Sequence, residues 1–200
     1  AIQSVANEFV KYGTRRITHQ LRRFPHQLLV NRKRVQRIMR QENLLRPVKK
    51  SKCSTTDSQH PYPRYSNLIK GLEVVYPDQV WVADITYIRL LKEFVYLAVI
   101  LDVFTRSVRG WCLSRQLDQE LTLDALRLAL MTGVAPNIHH SDQGIQYAAL
   151  AYVELLGLYQ VQISMAAVGK PEENGYAERF MRTIKEEEVD LSEYRDFADA

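Results

Sequence analysis

Three carboxylates stand where a folded chain gains nothing by putting them. Asp84 interrupts "VWVADITYIRL", Val80 to Leu90, a run whose β-branched and aromatic residues want a pleated, largely buried position. Asp142 follows the short run "NIHHS" and leads into Gln143 and Gly144, a loop signal, so it belongs on the rim of a sheet where α/β proteins take ligands. Glu178 sits among Tyr176, Ala177, Phe180 and Met181 in a helix-patterned stretch; Asn174 precedes it by four, Arg182 and Lys185 follow by four and seven, and these four share one polar stripe. An unpaired ionised carboxylate in an apolar interior neutralises or finds a counter-charge. A divalent cation shared by all three acids removes that objection, because the metal is then the largest local charge. Each acid also has a plain structural reading. Asp84 accepts neighbouring hydrogen bonds or pairs with an Arg, Asp142 forms a turn, and Glu178 is one more surface glutamate, with Glu173 the next candidate should it fail. Asp102, which ends the apolar run "YLAVIL", reads as a turn former and not as chemistry.

The elements that must carry these residues begin at Leu72. "VWVADITYIRLL", "FVYLAVILDVF" and "VRGWCL", joined by short connections, predict an antiparallel meander. "LTLDALRLALMTG" predicts a helix capped at Gly133; "NIHHSD" a strand; "YAALAYVELLGLY" a helix; "VQISMA" a strand; and "PEENGYAERFMRTIKEEEV" a long helix with Pro171 in its first turn. Three meander strands followed by alternating helices and strands make an α/β sheet with helices on its faces.

The N-terminal part is of another kind. Residues 1–70 carry 16 Lys/Arg against 3 Asp/Glu, whereas the remaining 130 carry 11 against 20, within a net charge of +4. Such asymmetry points to a polyanion at the basic end. "YGTRRITHQLRR" places Ile17 and Leu21 on one helical face with Arg15 and Arg16 elsewhere. "NRKRVQRIMRQENLL", capped by Asn31, buries Val35, Ile38 and Met39 and turns Arg32, Lys33, Arg34, Arg37 and Arg40 outward. Two short helices with a basic outer face resemble a helix-turn-helix. Residues 46–71, with Lys49, Lys50 and three prolines between Arg46 and Asn67, read as a linker, which gives a DNA-binding segment 1–45 and a catalytic domain 72–200. No apolar run is long enough to span a bilayer and no signal segment opens the chain, so a cytoplasmic protein is expected, nucleoid-associated when bound to DNA. Cys53 and Cys112 predict neither a disulfide framework nor a zinc site. The start at Ala1 and the helix-patterned stop at "FADA" read as a fragment truncated at the C-terminus.

Spacing ties the acids together: 57 residues separate Asp84 from Asp142, and 35 separate Asp142 from Glu178. With "WVADITYIRL", "YLAVILDVFTRSVRGW", "HHSDQGIQYAA" and "SMAAVGKPEENGYAERFMRTIKEEEV" in that order, Pro77 to Asp190 resembles the catalytic core of the DDE transposase and retroviral integrase superfamily. Within it, the bacterial insertion-sequence transposases of the IS3 family are most similar. "YGTRRITHQL" and "VNRKRVQRIMR" resemble the helix-turn-helix that precedes that core, except that "FPHQLL" stands where family members usually show a glycine turn. The resemblance implies an RNase H-like fold, a mixed five-stranded sheet flanked by helices, behind a small all-α domain. It implies Asp84, Asp142 and Glu178 as catalytic metal ligands, and two-metal chemistry with Mg²⁺ or Mn²⁺ that drives DNA cleavage and strand transfer by in-line phosphoryl displacement. It further implies Lys170, Asn174, Arg182 and Lys185 as contacts to DNA phosphate or terminal bases, and a homo-oligomer on the DNA ends. Two other readings stay open from the residues: an RNase H-like nuclease that only hydrolyses, and a transposase-derived DNA-binding repressor without activity.

Overall fold

The computed structural model describes residues 1–45, 62–167 and 169–200, and the chain divides into two compact units, Ala1–Ser54 and Thr55–Ala200. The expected linker lies largely outside the described residues, as do Lys49, Lys50 and Cys53.

The first unit holds three helices, α1 (Ile2–Glu8), α2 (Thr14–Leu21) and α3 (Arg32–Gln41). Val5, Ile17, Leu21, Val35 and Met39 form its core, so α1, which the pattern did not announce, supplies a third wall. Ile38 is half-buried at the edge of the stripe expected to be covered. Asn31 caps α3 as anticipated, its side chain accepting from the Lys33 N–H at 2.8 Å. Arg15, Arg32, Lys33, Arg34, Arg37 and Arg40 are exposed, and Arg16 leans over the Tyr12 ring, 5.5 Å from its centre.

The second unit is built on five strands: β1 (Val80–Arg89), β2 (Phe94–Asp102), β3 (Val108–Ser114), β4 (Ile138–Ser141) and β5 (Gln162–Met165). They stand in the order β3-β2-β1-β4-β5, antiparallel from β1 to β3 and parallel from β1 to β5. Side chains alternate across each strand. Trp81, Ala83, Ala98 and Ile100 face the helices α4 (Gln119–Leu130), α5 (Ile145–Ala148) and α6 (Leu150–Leu158). Val80 and Val82, with Leu101, face α7 (Gly175–Ile184) through Ala177 and Phe180. Asp84 shares the parity of Val80 and Val82 and so points to the α7 side.

Two expected helices are interrupted. "YAALAYVELLGLY" breaks at Ala149, whose ψ of 140° is extended. Residues five apart lie about 140° round a straight helix, so the break is what brings Tyr147 and Tyr152 edge to face at 5.5 Å in one core. The long C-terminal helix is a 3₁₀ turn (Pro171–Asn174), then α7, then a π turn (Lys185–Val189). The wider last turn carries Val189 onto Ile88, Leu90 and Val95, where Tyr194 and Phe197 also pack. The "FADA" end is turns and not the helix that its pattern suggested.

Gly110 of β3 sets how closely α4 lies on the sheet. A Cβ there would stand 2.2 Å from the Ala125 carbonyl oxygen and 2.7 Å from the Ala129 nitrogen, backbone atoms that cannot rotate away. Gly110→Ala is therefore expected to lower unfolding stability by roughly 1–3 kcal/mol, the usual cost of overpacking. Urea denaturation checks this, and a change below about 0.5 kcal/mol would mean that α4 is not seated on that glycine.

Candidate active site

Register brings the first two acids together. Val80, Trp81 and Val82 pair with Ile138, His139 and His140, and the same offset carried two residues on sets Asp84 level with Asp142, on the same face of adjacent strands. β4 ends at Ser141, and Asp142 begins the turn to α5, its Oδ1 accepting the Gly144 N–H at 3.0 Å. The plain reading of Asp142 as a turn former is thus also met. Asp84 Oδ1 accepts the N–H of Ile85 at 2.9 Å.

The helix that carries the third acid is tied down by Asn174. The Ile138 N–H donates to the Gln79 carbonyl, and rungs of a parallel ladder recur at every second residue, so the carbonyls of Trp81 and Ala83 turn to the same β4 edge. Where β4 has left the ladder, Asn174 Nδ2 donates to the Ala83 oxygen at 3.0 Å. This bond fixes the start of α7 beside Asp84, and Glu178, half-buried, follows one helical turn later. A carbonyl only accepts, so the atom facing it must be the amide nitrogen. Asn174 Oδ1 is left buried without a hydrogen-bond partner among the described residues.

Electrostatics agree with the geometry. Burial, then the Asp142 carboxylate, push the Asp84 carboxyl up to about 7; Glu178 adds to the rise, and the Ile85 N–H and Lys185 oppose it. Lys185 lies 4.1 Å from the centre of the Tyr87 ring. Among the described residues no three His, Cys, Asp or Glu side chains stand close enough to enclose a metal ion as they are. Asp84 and Asp142 stand level on adjacent strands, and Glu178 lies on the helix packed against that face.

The other candidates divide. Arg182 is exposed, and Lys170 is an exposed cation whose Nζ lies 3.9 Å from Glu173 Oε1. Asn174, expected to contact DNA, is 4% exposed and anchors α7 to β1. Glu173, the fallback acid, is engaged elsewhere: its Oε2 accepts from the Ala167 N–H and from Asn67 Nδ2, both at 2.9 Å. Asp102 is fully buried and structural, in keeping with its place before a turn. It accepts from the Asp78 N–H at 3.1 Å and from the Thr105 N–H at 2.9 Å; burial raises its carboxyl, but these bonds and that of the Thr105 hydroxyl outweigh it and hold the pKa low.

His139 and His140, in β4 just before Asp142, are not marked out by spacing, yet both are buried. Burial pushes them down to about 3 and about 4, so both are neutral near pH 7. His139 Nε2 meets the Tyr152 hydroxyl at 2.9 Å; His140 Nδ1 meets Ser164 Oγ at 2.8 Å, which in turn accepts the Leu68 N–H. The pairing "HH" before an acid is the signal that the sequence offers for them.

Residues 75–171 match a family model described as integrase core domain, residues 159–200 a second model of that description, and residues 1–52 a model described as HTH-like domain. The chain is 35% identical over 187 residues to the insertion element IS600 uncharacterized 31 kDa protein of Shigella sonnei, covering 92% of this chain and 67% of that protein. It is 32% identical over 180 residues to the transposase InsF for insertion sequence IS3A of Escherichia coli (strain K12), covering 88% and 62%. The chain thus spans between three fifths and two thirds of the length of these relatives. The solved intasome of simian T-cell lymphotropic virus, in complex with the PP2A regulatory subunit B56 gamma, shares the fold at a TM-score of 0.54 and 18% identity, over 92% of this chain and 59% of that one. No helix among the described residues is long and apolar enough to cross a membrane. With an HTH-like domain running into an integrase core, and a third of its residues shared with insertion-sequence proteins over most of its length, the chain belongs to the IS3-type insertion-sequence transposase family.

Proposed function

We propose that this protein cuts DNA strands and transfers the freed 3′-hydroxyl to a second phosphodiester by in-line phosphoryl displacement, with Asp84, Asp142 and Glu178 holding Mg²⁺ or Mn²⁺. The observation that carries this reading is the Asp84–Asp142 pair, set level by the β1–β4 register and with Asp84 pushed up to about 7. Two carboxylates held together in a half-buried place repel, and a cation relieves the repulsion. The donors fit a hard divalent ion, since all three are carboxylates and offer only oxygen. Such an ion supplies Lewis-acid stabilisation of charge on the phosphoryl oxygens and activates an attacking hydroxyl.

The chain's own residues do the rest. Asp84 is fixed by its place mid-strand and Asp142 by its turn, and Glu178 would complete the set from α7, whose start Asn174 holds. Lys170, Arg182 and Lys185 place positive charge around the acids, where a phosphodiester must approach them. Arg15, Arg16, Arg32, Lys33, Arg34, Arg37 and Arg40 of the first unit bind the DNA ends, and Lys49 and Lys50 continue that basic run in the sequence. The working form is a homo-oligomer on those ends.

Replacing Asp84 or Asp142 with Asn, or Glu178 with Gln, is expected to lower Mn²⁺-dependent strand cleavage by at least about a thousandfold while DNA affinity, read by fluorescence anisotropy, changes little. Full cleavage by Glu178→Gln would remove it from the set. For the first unit, Arg37→Ala and Arg40→Ala should each reduce the log–log salt slope of DNA binding by roughly 0.9 for every phosphate that the arginine neutralises. Unchanged affinity and slope in both variants would mean that this face of α3 is merely solvated.

A further inference from the structure

A buried polar atom without a partner is rare in a folded protein and calls for a reason. Tyr147 has one. The residue is 3% exposed, and its hydroxyl is buried with no hydrogen-bond partner among the described residues. The ring is not free to look for one. Tyr152 meets it edge to face at 5.5 Å, His139 lies tilted at 6.5 Å, and its backbone N–H is bonded to the Gly144 carbonyl at 3.0 Å. Those aromatic neighbours do not serve it either, because the Tyr152 hydroxyl and His139 Nε2 are paired with each other.

The ring and the Asp142 carboxylate border the same buried glycine. The position that a Cβ on Gly144 would take is 3.0 Å from Asp142 Oδ1 and 3.5 Å from Tyr147 Cδ2, so a side chain there would come between them. Burial, then Tyr152, Asp142 and Asp84 hold the Tyr147 phenol well above its ordinary pKa, so it keeps its proton and is available as a donor.

We propose that the Tyr147 hydroxyl donates a hydrogen bond to the Asp142 carboxylate when the three acids close on a divalent cation, and so fixes which lone pair Asp142 turns to the metal. Tyr147 is then a positioning residue. Asp142 can accept this bond without giving up the Gly144 N–H, since an ionised carboxylate offers about four lone-pair sites on two oxygens. The inference rests on the carboxylate site proposed above. It accounts for a buried hydroxyl that contributes nothing to the fold as it stands.

Tyr147→Phe removes the hydroxyl and leaves the ring. Without metal, the variant is expected to melt within about 2 °C of wild type or slightly higher, because an unpartnered buried hydroxyl is removed. Titrated with Mn²⁺ alone and read by isothermal calorimetry, it should bind at least about tenfold more weakly, the usual consequence of losing a partner that orients a metal ligand. Unchanged Mn²⁺ affinity would overturn the proposal. So would a metal-free melting temperature lowered by several degrees, which would mean that the hydroxyl has a structural partner in the free protein. Asp84→Asn separates the two levels. If it binds Mn²⁺ as wild type does, the carboxylate site itself is wrong and the inference falls with it. If it abolishes binding while Tyr147→Phe does not weaken it, only the role of Tyr147 is lost.

Discussion

The parallel ladder between β1 and β4 forces two like charges to the same level, and much of the second unit can be understood as the means of tolerating them. The ladder cannot slip to separate them, because a one-residue shift would turn Val80 and Val82 away from α7 and Trp81 and Ala83 away from α4. The apolar burial of both faces therefore holds the carboxylates in place against their repulsion. That burial extends under the site as well, where His139 and His140 are kept neutral and meet Tyr152 and Ser164. Neutral, the two imidazoles bring no counter-charge to Asp84 and Asp142.

α7 is held by a different kind of force. Its apolar face supplies Ala177 and Phe180 to the cluster with Val80 and Val82, but its start is fixed by a single buried amide, from Asn174 to Ala83. Glu173, one residue earlier, ties the preceding loop through Ala167 and the incoming segment through Asn67. Adjacent residues thus divide the work. Glu173 fixes the loop, Asn174 fixes the helix, and Glu178, the acid proposed for the chemistry, follows one turn on. Lys185, lying over Tyr87, brings an opposing charge to Asp84.

Much of this is legible in the sequence because it rests on periodicity and on residues placed against it. The meander, the alternation that aims Asp84 at one face and the Asn31 cap follow from local rules, and Asp84 is conspicuous because a carboxylate mid-strand breaks one of those rules. The triad becomes a set only through its spacing and the resemblance that this spacing carries. Asn174 reads as a surface contact because helical periodicity puts it on the stripe of Glu178, and nothing local says that β4 leaves the Ala83 carbonyl to be filled. Tyr147 looks like an ordinary core aromatic, since its significance depends on Gly144 and Asp142 folding back beside it. The breaks at Ala149 and Lys185 are hidden for a similar reason: they serve contacts to distant parts of the chain, and helix propensity does not report those.

Asp84 is held level with Asp142 on the adjacent strand, and on this the proposed chemistry turns. Its folded-state pKa, about 7, lies above the ordinary 3.8, so its contribution to the stability of the metal-free protein is present below about pH 4 and is lost as the pH rises through 7. A ¹³C-carboxylate NMR titration, with Asp84→Asn to assign the resonance, reads that proton directly. The expected midpoint is near 7 without metal and falls below about 5 in saturating Mg²⁺. A midpoint near the ordinary value without metal, and no response to Mg²⁺, would contradict a cation site built on this pair.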